Sequence, residues 1–86
     1  MESLISSTNL TFGEWLYLNR RRKDLTQDDL AEALGVKSQT ISNWENSSGI
    51  PKLMPQQTQS LCVLLECSLD DLARVAAQTA ERIKSA

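Results

Sequence analysis

Apolar residues along this chain recur three and four positions apart rather than in strict alternation, and turn-forming residues separate the runs. Three runs open with a hydroxyl residue followed three positions later by an acid: Thr11/Glu14, Thr26/Asp29 and Ser68/Asp71. In that pattern the side-chain oxygen accepts an amide proton of the first helical turn while the acid reaches back, so each pair predicts a helix start. Behind them stand Phe12, Trp15 and Leu16, then Leu30, Ala33 and Leu34, then Leu69, Leu72, Ala73 and Ala76, each set at helical spacing.

Two further helices follow from other signals. Ile41 and Trp44 lie between Gly35 and the turn cluster Asn46-Ser47-Ser48-Gly49, which predicts a short helix of two or three turns. Pro55 suits a first helical position and opens another helix, expected to turn Leu61, Val63, Leu64 and Leu65 toward a core and to break at Glu66-Cys67-Ser68. Residues 61–65 also suit a buried strand by periodicity, but no second run of matching length accompanies them. The expectation is an all-α, compact five-helix domain over residues 10–86 with an extended C-terminal helix at 69–84. Residues 1–9 carry little pattern and are expected to form a flexible arm.

Composition narrows the class. A chain of 86 residues suits one core. Its 41% hydrophobic and 23% charged residues, with three Gly and two Pro, are those of a folding chain. The apolar stretch at 61–65 falls far short of the roughly 20 residues that span a bilayer. The N-terminus lacks a basic-then-apolar signal pattern, so a cytoplasmic protein with no membrane partner is expected. Cys62 and Cys67 have no second pair and no His to complete a zinc site. Both are expected reduced, with Cys62 in the core, and no cofactor or metal is called for. With no His, no glycine-rich phosphate loop and no nucleophile beside an identifiable base, an enzyme is not expected.

The net charge of −2 argues against gripping nucleic acid by bulk electrostatics. The basic residues are nevertheless clustered at Arg20, Arg21, Arg22 and Lys23, while the acids are spread along the chain, so a local positive face is compatible with a negative total.

Residues 27–46, QDDLAEALGVKSQTISNWEN, carry the functional reading. Leu30, Ala31 and Leu34 fit one helix, Gly35 interrupts, and Val36, Ile41 and Trp44 fit a second helix inclined to the first. Ala31 is small where the two would approach, and Gly35 can take the positive φ of a sharp helix exit. With Val36, Ile41 and Trp44 sealing the inside, Lys37, Ser38, Gln39, Ser42 and Asn43 point outward. A polar outer face alone would mean only a solvated helix. Combined with so tight a helix-turn-helix, it suits base edges in the major groove, where the amide of Gln39 or Asn43 can bind adenine in a bidentate manner. The recognition helix is expected to begin near Ser38 and run through Asn43 to about Trp44.

At these residues the chain resembles the lambda-repressor-like, Cro-type or XRE-type helix-turn-helix proteins of phages and bacteria. The resemblance spans roughly residues 12–72, and its most specific pieces are Leu25-Thr26-Gln27, Leu30-Ala31, Leu34-Gly35-Val36 and Ile41-Ser42-Asn43-Trp44-Glu45. It implies a sequence-specific regulator of double-stranded DNA, a repressor by expectation, in which Ser38, Gln39, Ser42 and Asn43 face the bases. It further implies that Gln27, Lys37, Asn46 and Lys52 contact phosphates, Gln27 through its side chain or the helix N-terminus. Arg20 would pair with Glu45, tying the first helix to the third; otherwise Arg20 is one of four exposed basic residues. Arg21, Arg22 and Lys23 are expected to be solvated.

Three departures from the family pattern bear on these roles. Lys37 stands where the family often has a hydroxyl cap, which would shift the cap to Ser38 and compete with a base contact there. The Asn46-Ser47-Ser48-Gly49 turn is longer than usual, which bears on Lys52. Asp28, Asp29 and Glu32 place negative charge near the DNA side of the second helix, where acids favour the helix N-terminus. Beyond Leu72, the stripe Ala73, Ala76, Ala80 and Ile83 would either cover the domain's own core or form a homodimer seam. Dimerisation through the C-terminal helix is expected, because paired half-sites supply affinity that one small acidic domain lacks. Two other functions stay open: an antitoxin with a toxin or other protein partner, and a protein-interaction module that has lost DNA binding.

Overall fold

The computed structural model describes residues 10–47 and 49–85, with side chains up to residue 81. The arm expected at 1–9 and Ser48 of the turn cluster lie outside the described residues. Within them the order is α1 (Phe12–Arg22), α2 (Gln27–Leu34), α3 (Ser38–Asn46), α4 (Pro55–Leu65) and α5 (Leu69–Ser85), with no strand.

All three hydroxyl-acid pairs form the reciprocal hydrogen bonds read from their spacing. Thr11 Oγ1 accepts from Glu14 N at 3.2 Å while Glu14 Oε1 accepts from Thr11 N at 3.0 Å. Thr26 with Asp29 and Ser68 with Asp71 do the same. The other ends follow from backbone chemistry: Gly35 ends α2 at φ 71°, and Pro55 opens α4. Glu66 ends α4 in the left-handed region at φ 52°, a conformation uncommon outside glycine, and its carboxylate meets Lys23 Nζ at 2.6 Å. That contact fastens the α4–α5 turn to the end of α1.

One core joins all five helices, built from Phe12, Trp15, Leu16, Leu30, Ala31, Leu34, Ile41, Leu61, Leu65, Leu72 and Val75. Each fully buried Leu, Ile or Phe contributes about 1.5–3 kcal/mol by leaving water. Val36, Trp44, Cys62, Leu64 and Cys67 pack partly buried against it.

Four sequence expectations need correction here. Val63 points outward, 70% exposed, because Leu61 and Leu65 already occupy the inner line of α4. In α2 the buried small residue is Ala31, whereas Ala33 is exposed. Cys62 is half-buried at the core margin. On α5 the inner line is Leu72, Val75 and Thr79, so Leu69 and Ala73 face out and Ala76 and Ala80 lie at the flank. The side chain of Ile83 lies outside the described residues.

Thr79 is the unexpected member of that line. It is fully buried, its hydroxyl donates to Val75 O at 2.8 Å, and the same oxygen accepts from Phe12 N at 2.8 Å. The first N–H groups of a helix have no partner within it. Here α5 supplies one for α1 across 67 residues of sequence. The C-terminal helix therefore covers the protein's own core with this face.

Candidate nucleic-acid interface

The interface is built on α2 and α3, joined through Gly35. A second turn contact reinforces the glycine: Val36 N donates to Ala31 O at 3.0 Å. Ile41 is fully buried between the helices, with Val36 and Trp44 beside it. Because 3.6 residues make a turn, burying Ile41 and packing Trp44 turns positions 38, 39, 42, 43 and 46 to the other side. Gln39, Asn43 and Asn46 are exposed there, and Ser38 and Ser42 half-exposed.

The helix spans Ser38–Asn46, two residues past Trp44. Lys37 is its N-cap, without a side-chain cap hydrogen bond. The cap does not shift to Ser38, which is the first helical residue.

Two tethers set the position of α3. Arg20 Nε donates to Glu45 Oε2 at 2.7 Å and Arg20 Nη2 to Glu45 Oε1 at 3.1 Å, a bidentate pair with both side chains buried. The third guanidinium nitrogen, Nη1, donates to Leu25 O at 2.8 Å, so one side chain holds α1, the α1–α2 turn and α3 together. Planar fork geometry makes arginine the residue for such a site. The second tether is steric: a Cβ on Gly13 would lie 2.5 Å from Trp44 O and 2.7 Å from Glu45 O, so the end of α3 rests directly on the α1 backbone.

Gln27, at the start of α2, donates from Nε2 to Glu45 Oε1 at 3.0 Å. The neighbouring N-terminal amide of Asp29 is already taken by Thr26 Oγ1. The Asp29 carboxyl is held below its ordinary value of 3.8, chiefly by the Thr26 backbone N–H and then by the Thr26 side chain, so it carries charge at neutral pH. At the far end of α3, Asn46 Nδ2 donates to Ser42 O at 2.9 Å. Lys37 and Lys52 are exposed. On the outer face itself, Gln39 Nε2 donates to Asn43 Oδ1 at 3.0 Å.

Arg21, Arg22 and Lys23 each make one contact on the protein's own surface, Arg21 and Arg22 being exposed. Arg21 Nη1 donates to Tyr17 Oη at 2.9 Å, Arg22 Nη1 to Asn19 Oδ1 at 3.3 Å, and Lys23 pairs with Glu66. With Glu45 neutralised by Arg20, the exposed face of α3 presents amides and hydroxyls rather than charge.

Sequence reasoning missed several positioning residues. Gly13 falls inside a helix, where spacing marks no contact. Thr79 reads as a polar interruption of an alanine stripe. Gln57 accepts from Met54 N at 2.8 Å and donates to Leu34 O at 3.2 Å, joining α4 to the end of α2. Its only sequence signal is its place three residues after Met54, the cap position before Pro55.

Among the described residues no helix is long and apolar enough to cross a membrane, and no three His, Cys, Asp or Glu side chains gather as a metal site. No curated protein and no solved structure compared with the chain gives a match. The family model described as helix-turn-helix matches residues 16–72, from the middle of α1 to the first turn of α5 and across both tethered helices. That family is one of DNA-binding regulators rather than enzymes. The match covers more than half of the chain, and the chain belongs to the Cro/C1-type helix-turn-helix family of DNA-binding regulators.

Proposed function

We propose that this protein is a sequence-specific transcriptional repressor that lays α3 in the major groove of double-stranded DNA. The observation that carries the reading is the uncharged, hydrogen-bonding outer face of α3, with Ser38, Gln39, Ser42 and Asn43 on one line of a helix fixed from behind by Arg20 and Gly13. A groove about 12 Å wide admits a helix, and amides and hydroxyls complement base edges. The roles of those four residues are base contacts. Gln27, Lys37, Asn46 and Lys52 contact phosphates and set register, with Gln27 using the N–H that Glu45 leaves over and Asn46 exchanging its contact with Ser42 Oγ for a phosphate oxygen.

A homodimer through α5 accounts for useful affinity at low net basicity, since two half-sites about 34 Å apart add their contacts. The exposed residues Leu69 and Ala73, with half-buried Ala80 beside them at the flank of the inner line, support that seam. Occupying a promoter suffices for repression, so DNA binding by α3 needs no second activity to repress.

The test is retention of fragments of the source genome by the purified chain. The account expects a few fragments carrying paired half-sites that overlap promoters, and higher transcription from those promoters when the gene is deleted. A folded chain that retains no duplex even at low salt refutes the proposal and leaves protein interaction as its function. Lower transcription on deletion refutes the repressor role alone.

A further inference from the structure

The two long faces of α1 have different neighbours. Gly13 and Arg20 meet α3, whereas Trp15, Asn19 and Arg22 turn to the opposite side and line a cleft of about 350 Å³, walled also by the α4–α5 turn and α5. That volume falls in the range of small-molecule sites, about 300–1,000 Å³. Trp15, Leu65 and Val75, each more than nine-tenths buried, give the cleft an apolar floor. Lys23 Nζ and Glu66 Oε1, 2.6 Å apart, join the α1 wall to the turn.

The polar groups of the cleft favour an anion. Lys23 is matched by Glu66, and Arg74 lies between Asp70 and Asp71 at 3.6 and 3.7 Å. Arg22, by contrast, donates from Nη1 to the neutral Oδ1 of Asn19 at 3.3 Å, a contact that uses one of its five N–H groups. Asn19 is buried, and its amide is held at both ends: Oδ1 accepts from Arg22, and Nδ2 donates one N–H to Trp15 O at 2.9 Å. Its second N–H takes no part in these bonds.

We propose that this cleft is a binding site for a small amphipathic carboxylate, with its apolar body on Trp15, Leu65 and Val75 and its charged end between the Arg22 guanidinium and the Asn19 amide. The inference is independent of what α3 binds. A carboxylate accepts two parallel N–H bonds from a planar guanidinium and has lone pairs to spare for an amide. An inorganic anion would leave the apolar floor in water. An amine of the same shape would bring like charge to Arg22.

The experiment titrates octanoate, below its micelle concentration, into the isotopically labelled full chain and follows the backbone amides by NMR. The account expects saturable one-site binding that shifts Trp15, Asn19, Leu65 and Val75. The amides of Val63 and Leu69, the exposed apolar residues of α4 and α5, should stay still. Octylamine should bind at least about tenfold more weakly than octanoate, and Arg22→Gln should weaken octanoate by a similar factor, the scale of one charge-assisted hydrogen bond. Arg22 is exposed, so this variant should keep the fold, which circular dichroism checks. Equal binding of octylamine, an Arg22→Gln affinity equal to that of the wild type, or shifts that gather at Val63 and Leu69 overturn the proposal. So does the absence of saturable binding, the result expected if a second copy or residues 1–9 cover the cleft.

Discussion

Arg20 and Glu45, 25 residues apart, form a buried bidentate pair that joins the first helix to the end of the third, with 2.7 Å between Arg20 Nε and Glu45 Oε2. Removing one partner leaves a buried charge unmatched, which costs about 3–5 kcal/mol. Arg20→Met and Glu45→Leu should each lower the unfolding free energy by that order, read from the shift of the denaturant midpoint. The double variant should recover much of the loss, since an apolar pair of similar volume is often neutral. Chemical denaturation of the four proteins gives the coupling energy, and additive single effects would contradict a shared buried pair.

Gly13 reverses the usual rule for helices. Gly13 is the second residue of α1, and replacing a helical glycine by alanine ordinarily stabilises, by up to about 1 kcal/mol in a helix interior. At Gly13 the new methyl would meet backbone oxygens of Trp44 and Glu45 within 2.7 Å, and backbone cannot step aside as a side chain can. Gly13→Ala should destabilise by about 1–3 kcal/mol and shift α3. A rise in melting temperature would show that α1 and α3 have room between them.

Thr79 ties the C-terminal helix to the start of the first. Thr79→Val keeps the volume and deletes the hydroxyl, leaving the Phe12 N–H without its partner at a cost of about 1–3 kcal/mol. Thr79→Ser keeps the hydroxyl and should retain more of the stability. Thermal unfolding distinguishes them, and equal melting points for the valine variant and the wild type would dissolve the proposed link between α5 and α1.

Two carboxylates set an acid limit. Asp29 is held below 3.8 by Thr26, and Glu66 below 4.5 by the hydrogen bond from Lys23 and then by its charge. A carboxyl with a depressed folded value adds stability above its unfolded value, and that contribution disappears as pH falls through the folded one. The stability gap between wild type and Asp29→Asn or Glu66→Gln should therefore narrow as pH falls below 3.8 for Asp29 and below 4.5 for Glu66. A gap that widens on acidification would contradict the assignment.

Cys67 should be a slow thiol. Burial, then the neighbouring charge and hydrogen bond of Cys62, then the charge of Asp71, push it up to about 12. Thiolate is the reactive form. A Cys62→Ala chain keeps the burial, the largest cause, and the Asp71 charge, so its Cys67 should still resist alkylation near pH 8 until unfolded, and rapid labelling of the folded chain would contradict burial as the main cause.

Much of this architecture was legible because short-range chemistry marks it. The caps at Thr11, Thr26 and Ser68 each use partners three residues apart, and Gly35 stands where a left-handed exit is required. The inner residues of the helix-turn-helix were legible for the same reason. Long-range registers were not. Which face of α5 turns inward depends on Thr79 meeting Phe12, and alanine is too small for its spacing to reveal a buried side. Spacing misplaces Val63 because five consecutive apolar residues at 61–65 leave the inner line of a helix undetermined. Gly13 carries no pattern, since close backbone approach is a property of the partner helix.

The most direct measurement is the affinity of the chain for its selected duplex against a scrambled duplex of equal length, across a salt series, for the wild type and for the double variant Gln39→Ala with Asn43→Ala. The account predicts that the wild type binds the selected duplex about a thousandfold or more tighter. It also predicts that affinity falls with salt and that the double variant, with unchanged circular dichroism, binds both duplexes alike. Equal wild-type affinity for the two duplexes, or selectivity that survives in the double variant, would contradict base reading by α3.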